Sequence, residues 1–179
     1  SQLLVQTLKG ESVDNILVGA GSDLFYNINN SVYWNRSSNI SSIFTNINSV
    51  LWNEEMWLAL GTSAAGAGSG TGTMAYSING IDWVPLGNSV FTVTGYSVSW
   101  SKQNRIWVAV GSGNNSIASS YDGLNWTGYG TSLLDEGRDV YYANNMFIAV
   151  GSAICYSLDG LTWSSASTNI STEIGRASC

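Results

Sequence analysis

The sequence predicts an all-β fold of four-stranded antiparallel units, about four to the chain, and three observations predict it. A tryptophan that closes a polar turn recurs at Trp34, Trp83, Trp126 and Trp163, at intervals of 37 to 49 residues. Upstream of each lies an apolar run ended by glycine: Ile16-Leu17-Val18-Gly19, Trp57-Leu58-Ala59-Leu60-Gly61, Trp107-Val108-Ala109-Val110-Gly111 and Phe147-Ile148-Ala149-Val150-Gly151. These runs are rich in β-branched and aromatic residues and bounded by Gly, Asn, Asp and Ser, and no window holds a capped 3.6-residue apolar period. Repetition of a four-stranded unit at this spacing is what a β-propeller needs, because radial packing leaves only short, protected sheet edges.

Each element follows in order from unit four. Strand one is Val140 to Tyr142, matched by Val50-Leu51-Trp52 and Val98-Ser99-Trp100. Strand two is Phe147 to Val150, strand three Ile154 to Ser157, and strand four begins near Leu161. The turns Asn53-Glu54-Glu55 and Ala143-Asn144-Asn145 join strands one and two. The repeats fall at about 8–49, 50–97, 98–139 and 140–175 of one propeller domain spanning 1–179, and 176–179 opens a further or closing strand. Gly175-Arg176 echoes Gly137-Arg138, so a four-bladed ring closed by the last strand is favoured over an excerpt from a longer array or a larger ring shared between chains. At 179 residues one good core is the expectation.

The link between strands three and four is the most distinctive stretch. Ser77, Asn79, Gly80 and Trp83 recur as Ser120, Asp122, Gly123 and Trp126 and as Ser157, Asp159, Gly160 and Trp163. Glycine takes the positive φ of a tight hairpin, and the Ser and Asp or Asn side chains bind turn amides that otherwise lack partners. The indole then folds back over the hairpin, so the phrase is structural.

These residues resemble the Asp-box (BNR) repeat of sialidase-like propellers, Ser-x-Asp-x-Gly-x-x-Trp, with one residue fewer here between Asp and Gly. The first copy, Asn27 to Trp34, is one residue longer and lacks both Ser and Gly. The resemblance covers residues 13 to 165 and implies a propeller whose boxes lie in peripheral hairpins, away from any catalytic centre. Similarity to Asn-rich propellers of large DNA viruses and phages, together with 10% charged residues, points to a virion or cell surface.

Composition then narrows the function. The net charge of −6, with six Lys and Arg, excludes a phosphate-tracking surface, so no nucleic acid partner is expected. No apolar run reaches the roughly 20 residues of a membrane span. Absence of histidine removes His-based catalysis and the commonest transition-metal ligand, and no cofactor or metal is expected. Sialidase-like enzymes clamp a carboxylate with several arginines; Arg36, Arg105, Arg138 and Arg176 are spread along this chain, and solvation, or pairing with Asp135, Glu136, Asp139 and Glu173, is the plainer expectation for them. The adjacent acids Asp135-Glu136 and Glu54-Glu55 point to opposite faces of a strand and read as loop solvation. The glycine-rich residues 61 to 73 lack the following helix and lysine of a phosphate loop. They belong to the strand two to strand three connection, which spans 8, 16, 9 and 6 residues in the four units and places variable loops on one face.

What remains is a noncatalytic binding or structural module, with protein or glycan as partner and a homo-oligomer or larger assembly as its context. The leading alternative is a carbohydrate-binding propeller, and a sialidase-like glycosidase comes third. Candidate ligand contacts are Tyr96, Trp100, Tyr129, Arg138 and Arg176, aromatic faces and cations suited to stacking and polar recognition; inter-blade packing is the plainer reading of Trp100. Cys155 occupies the strand-three place of Ala75 and Ala118, and a bridge to Cys179 requires the terminus to return to the fourth unit.

Overall fold

The computed structural model describes residues 4–6, 15–28, 33–64 and 71–166, and among them the chain forms sixteen strands and one short helix. The first sheet holds β1 (Leu4–Gln6), β2 (Asn15–Ala20), β3 (Asp23–Ile28) and β4 (Asn35–Arg36). A connector carrying α1 (Ile40–Ile43) leads to β5 (Phe44–Trp52), β6 (Trp57–Ser63), β7 (Met74–Ser77) and β8 (Val84–Gly87). The third unit is β9 (Thr94–Ser101), β10 (Ile106–Ser112), β11 (Ile117–Ser120) and β12 (Thr127–Gly128). The fourth is β13 (Gly137–Ala143), β14 (Met146–Gly151), β15 (Ile154–Ser157) and β16 (Ser164–Ser165).

Within every unit each strand pairs antiparallel with the next. Units two and three also join at one bridge, Thr62 to Thr94. Packing between units runs along their first strands, β1 to β5 to β9 to β13. The architecture is therefore all-β, with four-stranded blades stacked face to face in the manner of a propeller.

The apolar runs are explained by what covers them. On β6, Trp57 and Ala59 pack with Leu24 of the first sheet, while Leu58 and Leu60 pack with Trp107 and Ala109 of the third. On β10 the alternate residues Ile106, Val108 and Val110 face Phe147 and Ala149 of the fourth sheet. A second strand buried on both faces must be apolar at successive positions rather than at alternate ones. The first two strands of units two to four are further tied by tilted aromatic pairs across their ends: Trp52–Trp57, Trp100–Trp107 and Tyr142–Phe147, with centroids 5.2, 4.9 and 4.6 Å apart.

Several boundaries differ from the sequence reading. The first strands begin at Phe44, Thr94 and Gly137, upstream of the apolar triplets, because polar residues there extend the ladder through bulges. Strand β1 at Leu4–Gln6 precedes residue 8, where the first repeat was placed. The fourth strand of the last unit starts at Ser164 rather than Leu161, since the Leu161 and Thr162 amides are engaged by Asp159. Among the described residues no helix is long and apolar enough to cross a membrane. Cys155 is buried and free, opposite Ala149; Cys179 lies outside the described residues.

Candidate functional site

The three hairpin turns share one geometry. Ser77, Ser120 and Ser157 are buried, and each Oγ accepts from the amide of Gly80, Gly123 or Gly160 at 2.9, 2.9 and 2.8 Å. Each hydroxyl donates to Oδ1 of Asn79, Asp122 or Asp159. That same oxygen accepts from the next two amides, Ile81 and Asp82, Leu124 and Asn125, or Leu161 and Thr162. The indoles of Trp83, Trp126 and Trp163 donate back to the glycine carbonyls at 3.3, 2.9 and 3.3 Å. Amide donors hold the Asp159 carboxyl down at about 2, and the Asn125 and Leu124 amides with the Asn125 side chain hold Asp122 lower still.

The tryptophans of these turns pack at the junctions between sheets. Trp83 packs with Leu24 of the preceding sheet, Trp126 with Leu58 and Leu60, and Trp163 with Val108 and Val110. Trp83, Trp126 and Trp163 thus each contribute to the contact of one blade with its predecessor. The connector after β4 reaches the same way: Asn39 donates to the Trp83 carbonyl at 2.7 Å and accepts from its amide at 2.9 Å.

Aromatic and polar side chains converge elsewhere, in a groove of about 720 Å³ walled by β5, β9 and β13. From β5 come Asn48, Ser49, Leu51 and Trp52; from β9 Tyr96 to Trp100; from β13 Arg138 to Tyr142. The walls are tied together, since Asn48 Nδ2 donates to the Gly95 carbonyl at 2.8 Å and Ser97 Oγ to Asp139 Oδ1 at 2.7 Å. Arg138 lies over the Tyr96 ring, its guanidinium carbon 4.4 Å from the centroid, and pairs with Glu136 at 2.7 Å. Burial, and then Glu136 nearby, push the Tyr96 phenol up.

The structure brings Tyr96, Trp100 and Arg138 together in this groove. Tyr129 is not part of it: its phenol meets Ser119 Oγ at 2.6 Å, and its ring packs at the junction of sheets three and four, where burial raises its pKa. Arg176 lies outside the described residues. Arg36 pairs with Asp23, and Arg105 with Glu55 at 3.4 Å, each away from the groove. Sequence reasoning did not single out Trp52, Tyr142, Asn48, Ser97 or Asp139 as lining residues. A signal was there, because Trp52 and Tyr142 hold the strand-one place of Trp100 in their own repeats. No cluster of acidic and Cys side chains able to hold a metal ion occurs among the described residues.

Neither a protein-family model nor a curated protein matches the sequence. Solved structures do match. An ancestral GH74 enzyme shares 14% identity at a TM-score of 0.63, over 92% of this chain and 24% of that one. The Pan2 WD40 domain of Neurospora crassa shares 11% at 0.57, over 85% of this chain and 45% of the other. The computationally designed Ika4 protein also shares 11% at 0.57, over 84% of this chain and 94% of its own. This chain spans about a quarter of the GH74 enzyme and under half of the Pan2 chain. At such identities the likeness shows the fold alone, an all-β, propeller-like one.

Proposed function

We propose that the chain is a noncatalytic binding module whose ligand lies in the groove along β5, β9 and β13. The observation that carries this reading is the stacked Arg138–Tyr96 pair, set in one concave wall beside the half-buried rings of Trp52 and Trp100. Convergent polar groups among aromatic faces are the chemistry of an oriented ligand site. The mixture of rings with Asn48, Ser97, Asp139 and Arg138 favours a glycan, whose apolar ring faces stack while its hydroxyls bond in the plane.

Hydrolysis is disfavoured by the carboxylates. Glycoside cleavage uses two acids flanking the scissile bond, whereas among the described residues lining the groove Asp139 is the one carboxylate, its Oδ1 already accepting from Ser97 and from the Val140 amide, and Glu136 beside it is paired with Arg138. An arginine clamp of the sialidase kind is equally unsupported, since Arg36 and Arg105 are paired elsewhere. The resemblance of the turns to Asp-boxes accords with this, as they pin blades together.

Glycan-array binding by the full chain, repeated with Tyr96→Ala and Arg138→Ala, tests the reading. The expected result is a restricted set of glycans bound, with affinity falling at least tenfold in both variants and holding in Tyr129→Phe. Binding that ignores the groove variants, or turnover of fluorogenic glycosides including a sialoside, overturns it.

A further inference from the structure

Among the described residues, no sheet packs against the outer face of the fourth sheet. Ile148 pairs in register with Tyr141 and Tyr156, and Val150 with Ile154. In the second sheet the same register positions are Leu58 with Leu51 and Tyr76, and Leu60 with Met74; Leu58, Leu60 and Met74 are fully buried beneath sheet three. In the third sheet they include Val108, Val110 and Ile117, buried beneath sheet four. In the fourth sheet Ile148, Val150 and Ile154 are each 37% exposed, Tyr156 38% and Tyr141 70%. This face has the composition of half an inter-blade interface, with no charged residue on β14 or β15.

The complementary half is exposed at the opposite end. Each interior interface receives the box tryptophan of the following blade, buried at 2% in the case of Trp83. The corresponding residue of the first unit, Trp34, is 48% exposed, and its neighbour Tyr33 76%. One chain thus carries both an uncovered receiving face and an uncovered box tryptophan. Contiguous apolar surface of this kind marks an interaction site, and a heterologous contact between unlike faces joins copies head to tail, closing into a ring where the rotation permits.

We propose that the outer face of the fourth sheet docks the first sheet of a second copy of this chain, continuing the series of blade contacts across the molecular boundary. Sedimentation velocity of the full 179-residue chain over a concentration series tests this, with Ile148→Glu and Trp34→Ser as variants, both at exposed positions. The wild type is expected to sediment as a multiple of the monomer. Each variant alone is expected to weaken association at least tenfold, while an equimolar mixture forms a one-to-one dimer through the single intact pair of faces. Near-ultraviolet circular dichroism reports folding, and Ile148→Gln replaces the glutamate variant where that one does not fold. A wild type monomeric at every concentration overturns the proposal, including one in which the remainder of the same chain covers the face. So does association that survives Trp34→Ser but not Ile148→Glu, which means like faces pair, and so does association indifferent to both variants.

Discussion

At Asp159 one oxygen organises a turn. Oδ1 accepts from Ser157 and from the Leu161 and Thr162 amides, which stabilise the ionised form and take its pKa from 3.8 to about 2. A depressed folded-state pKa adds stability that is complete above the unfolded value and is lost as pH falls toward about 2. Asn79 fills the same role in the second unit with a neutral oxygen, which accepts from the corresponding amides of Ile81 and Asp82. Asp159→Asn is therefore expected to keep the turn and flatten the acid arm of the stability profile below about pH 4, whereas Asp159→Ala costs about 1 kcal/mol at neutral pH. Urea melts across pH check both. Gly160 is constrained twice, by a φ of +78° and by Ile106, Val108 and Phe147, whose atoms would lie 3.2 Å from an added Cβ. Gly160→Ala is expected to cost about 1–2 kcal/mol, read as a lowered urea midpoint at unchanged slope.

At the scale of the element, register decides the worth of a side chain. Leu58 and Ile148 occupy equivalent places on the second strands of their units, one fully buried and the other 37% exposed. Leu58→Ala is expected to cost about 2–5 kcal/mol, and Ile148→Ala under half as much in the dissociated chain; equilibrium unfolding at low protein concentration distinguishes them. Elements were legible where a local rule held. Strand three at Ile154–Ser157 follows from β-propensity bounded by turn residues. The start of β16 did not follow, because Asp159 captures two amides that a propensity argument gives to the strand. Nor did α1, a single turn whose Ile40 and Ile43 are buried against the first interface rather than repeated along a helix.

Over the whole molecule, stability resides in three apolar layers between four sheets, not in charge. Four ion pairs among the described residues are exposed on at least one side, Asp23 and Glu136 being half-buried, and surface pairs contribute about 0–1 kcal/mol each. The melting temperature is accordingly expected to change by no more than a few degrees between low and high salt, checked by calorimetry; a steep loss with salt contradicts this account. In a stack joined by nearest-neighbour interfaces, a sheet face with no neighbour among the described residues is exposed, as at Ile148 and Val150.

The sequence by itself determined the repeating unit, its turns and its all-β character, because alternation, β-propensity and the positive φ of glycine act over a few residues and leave a local imprint. The tertiary structure alone decided that Tyr96, Trp100 and Arg138 share a groove while Tyr129 is spent on a blade junction, and that Ile148 and Trp34 are exposed while Leu58, Val108 and Trp83 are buried. Those outcomes depend on which sheet lies against which. Chemically equivalent residues acquire different environments according to the sheet that covers them.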